Sequence, residues 1–400
     1  VPISSGATVS WRKPDTGFST ITTYRATSNP GGRTCEVGPS VLLCSISGLT
    51  NGNSYTFNVI ATNPAGNSMS SISSNAVVPV SSYVAETIAS EWGIDRIDER
   101  ASSADGFLAM PGRGQGTRIY VVDTGVRTTH TEFTNRISSG FSTVTDGLGT
   151  SDCNGHGTHV AGIIAAKRNN GIGIDGVANN VSIMAIRAVP NGDEYDKDVA
   201  LAIRYAVDNG AKIINTSFGK GYSPQKEWVA EAIQYAAKND VLIVNAAGND
   251  SKNIDLDENP VYPNDQLDGV TISNTFLTVG ALAPEYGGEM VSSFSNYGKE
   301  NVDVFAPGSD IWSCNPNNKY EFASGTSMAA PAVSGVAALV RSYYPKLTAA
   351  EVKTILMNSG LPIKKSVVVG ESGEAVLFSS ISQSGGMVNA YNAIVLASKK

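Results

Sequence analysis

Val121-Val122-Asp123-Thr124-Gly125 ends an apolar run that begins at Arg118, and it sets a carboxylate where that run gives way to a turn. Four more short, mostly apolar runs follow at residues 181–189, 212–217, 241–246 and 276–281. Between them lie stretches with helical periodicity at 158–166, at 198–209 closed by Gly210, and at 226–238. Strand alternating with helix predicts an α/β domain with a mostly parallel sheet and helices on both faces. Active sites in such sheets gather at the carboxyl ends of strands, and Asp123 stands at one.

Two further segments extend this reading. Gly155-His156-Gly157-Thr158-His159 opens a predicted helix, and Gly325-Thr326-Ser327-Met328-Ala329-Ala330-Pro331 leads an apolar, small-residue stretch to Val340 that reads as a buried helix ended before Pro345. Together the segments offer a carboxylate, an imidazole and a hydroxyl. A serine hydroxyl is a poor nucleophile near neutral pH, so acyl transfer needs a base to take its proton and a third group to hold that base. The chain has three histidines, His130, His156 and His159, so the base comes from a short list. Each residue also has a plainer reading. Asp123 suits a backbone acceptor in a turn, Asn249 a turn residue beside Gly248, and Ser327 an ordinary N-cap. Cys153, His156 and His159 carry ligand types that zinc accepts, but no fourth-ligand motif accompanies them.

The chain order Asp, His, Ser is that of subtilisin, whereas chymotrypsin-like enzymes run His, Asp, Ser and α/β-hydrolases run Ser, Asp, His. With their flanks, the three segments resemble the subtilisin-like serine proteases over residues 84–400, and residues 92–125 are most similar to the proteinase K branch. The resemblance implies a serine endopeptidase of broad specificity acting through an acyl-enzyme, with Asp123, His156 and Ser327 as the triad. It makes His159 structural and His130 surface or structural. Asn249, in Ala246-Ala247-Gly248-Asn249, would donate its side-chain amide to the oxyanion, beside the helix N-terminus that carries Ser327. Ser217-Phe218-Gly219 resembles the strand that pairs with substrate backbone. Ala246, Ala247 and Gly248 would border the pocket for the side chain before the cleaved bond. The acids Asp250, Asp255, Asp257, Glu258, Asp265 and Asp268 would add a preference for basic residues at its rim. No cofactor is implied for the chemistry. Structural calcium is expected at Asp303, with backbone oxygens near Asn274 and Phe276, against the plainer reading of solvated acids.

Residues 1–80 read differently, as alternating strand-like runs with turns between them. Trp11, Pro14, Tyr24, Gly48-Leu49-Thr50-Asn51-Gly52, Tyr55, Phe57, Val59 and Asn63-Pro64-Ala65-Gly66 resemble a fibronectin type III domain, an all-β sandwich with Trp11 and Tyr55 in its core. The expected organisation is therefore residues 1–80 as that sandwich and 84–400 as the peptidase, joined through Val77-Val78-Pro79-Val80-Ser81-Ser82.

Net charge is -7 without Lys/Arg runs, which gives no footprint for nucleic acid or an anionic membrane. No apolar run reaches the roughly 18 residues of a membrane helix. The low charged fraction, 16%, suits a secreted protein. The chain opens at Val1 without a basic and apolar leader, so a signal peptide, if one existed, has been removed, and the shortened first strand implies that more protein preceded it or that the chain was trimmed. Expected partners are protein or peptide substrates, with an extracellular matrix or polymer as the candidate contact of the N-terminal module, and a monomer is expected. Four cysteines allow three full pairings, of which Cys35 with Cys44 is favoured, while the pairing of Cys153 and Cys314 stays open. Related enzymes often pair the first of these with a cysteine some thirty residues on, and none occurs there. Two features depart from the family: the sandwich stands where an inhibitory propeptide usually lies, and the section after Asp193, with an insertion at 364–383, resembles another branch. Two rival classes are a binding protein with a vestigial catalytic domain and a transpeptidase.

Overall fold

Five strands of the parallel sheet are runs such as Ile119-Tyr120-Val121-Val122, whose side chains are all fully buried. That is what a strand covered on both faces requires. The computed structural model describes residues 2–3, 5–14, 20–50, 53–74, 76–77, 79, 87–88, 91–98, 107–108, 110, 112–190, 193–370 and 373–400. Asn51, Gly52 and most of the expected linker lie outside these residues. The chain forms two units, residues 1–87 with 109–112, and residues 88–108 with 113–400.

The first unit is an antiparallel two-sheet sandwich. One sheet orders Pro2–Ile3, Gly6–Ser10 and Leu43–Ser47; the other orders Thr34–Val37, Thr23–Asn29, Thr56–Asn63 and Gly66–Asn67. Alternation along Gly6–Ser10 and Thr23–Asn29 sends Ala7, Val9 and Ala26 into a core with Ile46, Phe57 and Val77. Trp11 is partly buried at the side of this core, its ring 5.4 Å from that of Tyr24. Tyr55 is buried, and its hydroxyl accepts from Thr50 N at 3.0 Å, fixing the preceding corner. Cys35 and Cys44 form a disulfide between the two sheets.

The second unit is built on a nine-stranded sheet in the order Ile137–Ser142, Ser182–Arg187, Arg118–Asp123, Ile213–Thr216, Leu242–Ala246, Phe276–Leu282, Val304–Pro307, Gly386–Met387 and Leu361–Pro362. All neighbours are parallel except the last two. Helices Asp196–Asp208 and Lys226–Lys238 cover one face over Tyr120, Val122, Ile214 and Ile243. Helices His156–Ala165 and Thr326–Tyr343 pack together, the latter against the central strands. The Thr326–Tyr343 helix starts one residue ahead of Ser327 and ends before Pro345, where the sequence places its limit. The expected insertion forms a hairpin, Ser366–Val369 with Glu374–Leu377, anchored by Val367 and Val369 and followed by Phe378 beside Phe305.

Strand order reverses around Arg118–Asp123. The chain passes from it to Ile137–Ser142 and Ser182–Arg187 on one side, then crosses to Ile213–Thr216 on the other. Loops leaving the carboxyl ends part at such a switch point and open a crevice there.

Candidate active site

Asp123 closes its strand inside that crevice, almost fully buried. Its Oδ1 accepts from Thr124 N at 2.7 Å and from His156 Nδ1 at 2.8 Å. His156 reaches it because Gly157 lets the backbones close up: a Cβ there would stand 2.0 Å from Gly125 O and 3.1 Å from Asp123. With Nδ1–H donated to the carboxylate, Nε2 is the lone-pair nitrogen. Burial would lower the pKa of this imidazole, but the charge and hydrogen bond of Asp123, helped by Asp152, hold it above its ordinary value.

Sequence reasoning passed over Asp152, which organises the start of this helix. Its Oδ1 accepts from Thr124 Oγ1, Asn154 N and Gly155 N, and its Oδ2 from Thr158 N and Oγ1. One carboxylate thus satisfies free amides at the helix N-terminus and ties them to the residue after Asp123. An Asp just ahead of a predicted helix was the available signal.

Ser327 lies in the first turn of Thr326–Tyr343, whose N-cap is Gly325, so Ser327 itself is not the cap. Pro331 stands four residues on and has no N–H for the Ser327 carbonyl. Ser217 Oγ donates to that carbonyl at 2.8 Å instead, and Ser327 Oγ returns a bond of 2.8 Å to Ser217 O. The hydroxyl therefore rests on the candidate substrate strand rather than on His156.

Asn249 Oδ1 accepts from Thr326 N and Oγ1 at 2.8 and 2.9 Å, and Thr326 Oγ1 accepts from Gly248 N at 3.0 Å. With its oxygen held, the amide nitrogen is the end free to donate. A Cβ on Gly325 would lie 3.5 Å from both Asn249 Nδ2 and Ser327 N, so two donors converge on one spot. Thr326, fully buried, is a second positioning residue that sequence reasoning did not single out.

Asp123, His156, Ser327, Asn249, Ser217, Phe218, Gly219, Ala246 and Gly248 line one cleft of about 370 Å³. Among the described residues the Phe218 and Gly219 backbones make no hydrogen bonds, whereas Lys220 pairs with Tyr262 through two bonds of 2.9 Å. Ala247 corrects the expectation. Strand alternation turns it into the core with Leu282 and Phe305, away from this cleft. Of the expected acidic rim, Asp250 alone lines the cleft. Asp255, Asp257, Asp265 and Asp268 line a separate cavity of about 390 Å³ beyond Tyr262 and Pro263. There Asp255 accepts from Glu300 N and Asn301 N, and Asp268 pairs with Lys226 at 2.9 Å. Burial raises Asp265 to about 6.

His130 is not on the surface: it is buried, its Nδ1 accepting from Glu132 N and its Nε2 bonded to Lys319 O. His159 is buried with Nε2 on Glu321 O, and burial lowers it to about 4. Cys153 is an exposed free thiol and Cys314 a buried one, which closes the question of their pairing. The rival zinc reading finds no support, since among the described residues no three His, Cys, Asp or Glu side chains converge as a metal site.

The expected calcium position is also corrected. Lys353 Nζ stands 2.9 Å from Asp303 Oδ1 and donates to Phe276 O, so an ammonium of the chain itself fills the place of a cation. Asp303 Oδ2 accepts from Thr278 N at 2.8 Å, while Asn274 is exposed and adds no hydrogen bond.

A model described as the subtilase family matches residues 114–380, and one described as the fibronectin type III domain matches residues 3–77. The extracellular serine proteinase of Thermus sp. (strain Rt41A) is 37% identical over 68% of this chain and 62% of its own length. The thermophilic serine proteinase of Bacillus sp. (strain AK1) is 41% identical over 57% of this chain and 52% of its own. The chain thus spans less than two thirds of either. The major intracellular serine protease of Bacillus subtilis (strain 168) is 38% identical over 65% of this chain and 81% of its own length. Among solved structures, a cold adapted subtilisin-like serine proteinase matches with a TM-score of 0.61 and 33% identity, over 76% of this chain and 97% of the other.

Proposed function

The chain belongs to the subtilase family, and from that premise we propose that it is a serine endopeptidase of broad specificity working through Asp123, His156 and Ser327. The observation that carries the reading is the convergence of the Asp123–His156 pair, the Ser327 hydroxyl and the Asn249 amide on one cleft. An extended peptide pairs with the free backbone of Phe218 and Gly219. As its amide approaches Ser217 O, it competes with the Ser327 hydroxyl for that acceptor and frees Oγ to turn to His156. His156 Nε2 takes the Oγ proton as Oγ bonds to the substrate carbonyl carbon, and Asp123 holds the imidazolium. Asn249 Nδ2 and Ser327 N receive the oxyanion. The C–N bond then breaks, the imidazolium gives its proton to the leaving amine, and water resolves the acyl-enzyme by the same route. These steps need no metal or organic cofactor.

We assign residues 84–400 to the peptidase and 1–80 to an accessory sandwich that contacts an extracellular matrix or polymer, in a monomer. The Cys35–Cys44 disulfide favours an oxidising, extracellular setting, in keeping with the Thermus relative. Among the described residues no helix is long and apolar enough to cross a membrane. The test is casein hydrolysis with and without a serine-directed phosphonate, and with Ser327→Ala. A loss of about a million-fold in kcat, the size known for subtilisin itself, is expected. Hydrolysis indifferent to both treatments would remove the reading, and capture of an added amine in place of water would move it to transpeptidation.

A further inference from the structure

Glu194 stands just ahead of helix Asp196–Asp208, 5% exposed, and lines the same cleft as Ser327. Its Oε1 is buried with no hydrogen-bond partner. A carboxylate oxygen left so is costly, and the residue's own backbone amide and the charge of Lys220 offset that cost only in part. The nearby cation is already engaged: Lys220 Nζ binds the Glu194 carbonyl oxygen at 2.7 Å and Asp196 Oδ1 at 2.9 Å. Asp196 takes Ser223 Oγ and Gln225 N as well, so that ion pair is complete without Glu194.

The sheet order says which substrate side chains meet this group. The Ser217–Gly219 segment follows strand Ile213–Thr216. That strand lies between Leu242–Ala246, which leads to Gly248, and Arg118–Asp123, beyond which Ser182–Arg187 leads to Val189 and Pro190. Side chains of a peptide paired to 217–219 alternate between these two sides. If the residue before the cleaved bond faces Ala246 and Gly248, the second and fourth upstream residues face Val189, Pro190 and Glu194.

We propose that Glu194 is a specificity determinant of this cleft, an anionic subsite that takes the Lys or Arg side chain of the second or fourth residue upstream of the cleaved bond. The inference rests on the peptidase reading and deepens it. Burial raises Glu194 to about 7, against its own amide and Lys220 and with the help of Asp193 and Asp196. Lys226 lines the small adjoining cavity. The charge that attracts a basic side chain therefore grows as pH rises through neutrality.

The test uses the whole chain and quenched fluorescent peptides with Lys, Arg or Gln at those two positions, reading the Lys-to-Gln ratio of kcat/KM. A ratio of about tenfold is expected at pH 8.5, the size of one charge-assisted hydrogen bond, shrinking towards pH 6. Glu194→Gln should bring it below about twofold. The ratio is unaffected by the fraction of folded enzyme, so a mere structural defect would not move it. Asp250→Asn, at the acid that lines the cleft besides Glu194 and the triad's Asp123, should leave it in place. A ratio unchanged in Glu194→Gln, or lost in Asp250→Asn instead, would overturn the inference while the peptidase stands. Failure of the unmodified chain to cleave any peptide would overturn both.

Discussion

Asp123 and Asp303 are two buried aspartates on one sheet, each with a nitrogen within 2.9 Å, and they serve opposite ends. Asp123 ends a strand at the carboxyl edge, where loops part; Asp303 precedes strand Val304–Pro307 at the amino edge. The partner of Asp123 is an imidazole whose side chain is 32% exposed to the cleft, so its proton can come and go. The partner of Asp303 is an ammonium only 12% exposed, committed to a carboxylate and a carbonyl. A sheet buried on both faces tolerates a carboxylate only with such company. Whether the company is titratable and open, or permanent and closed, separates chemistry from cohesion.

The largest effect that would sharpen this contrast comes from Asp123→Asn. It should lower kcat about ten-thousand-fold with the fold intact, the size of the same change in a chymotrypsin-type triad. In the unaltered enzyme activity should rise with pH through a value above the ordinary imidazole range, because only neutral His156 accepts a proton. The stability that His156 contributes runs the other way. Its folded-state pKa is raised, so that contribution is complete below the unfolded value and fades as pH rises through the folded one. In Asp123→Asn the acid limb should move down; a limb that stays put would break the account of His156.

Next in size is Lys353→Met, which strands Asp303 and should cost about 3–5 kcal/mol of unfolding free energy without changing kcat per folded molecule. Denaturant titration with active-site counting separates the two. Burial raises Asp303 above the usual carboxylate range despite Lys353 and Thr278 N, so the ion pair itself adds little net stability. Adding Asp303→Leu to Lys353→Met should therefore recover most of the loss, and failure to recover would mean the pair is itself a main support. The smallest effect concerns calcium. Millimolar calcium should raise the Tm of Lys353→Met more than that of the unaltered chain, where the ammonium already occupies the position; equal shifts would remove the comparison.

Five of the nine strands were legible because burial leaves apolar runs, and the helices expected at 226–238 and 198–209 because one stripe of each is apolar; Ile137–Ser142 and Val304–Pro307 were not read as strands. The strands Leu361–Pro362 and Gly386–Met387 carry no such signal, since two residues have no period. For the site, composition offered three histidines, and only the resemblance selected His156. Lys353 was not legible at all: a lysine on a helix face reads as solvated, and its partner is fifty residues away in sequence. Ala247 was misread because the small residues of Ala246-Ala247-Gly248 look alike until alternation assigns each a side.

The order in which the sheet is threaded also sets when the site can exist. Val304–Pro307 finds its outer neighbour only in the sequence-distant Gly386–Met387, and Ser327 must meet residues over a hundred positions earlier. Contacts so distant in sequence make folding slow. Nucleophile and base therefore come together only through pairings between segments far apart in the sequence, so competence to cut depends on the domain being threaded as a whole.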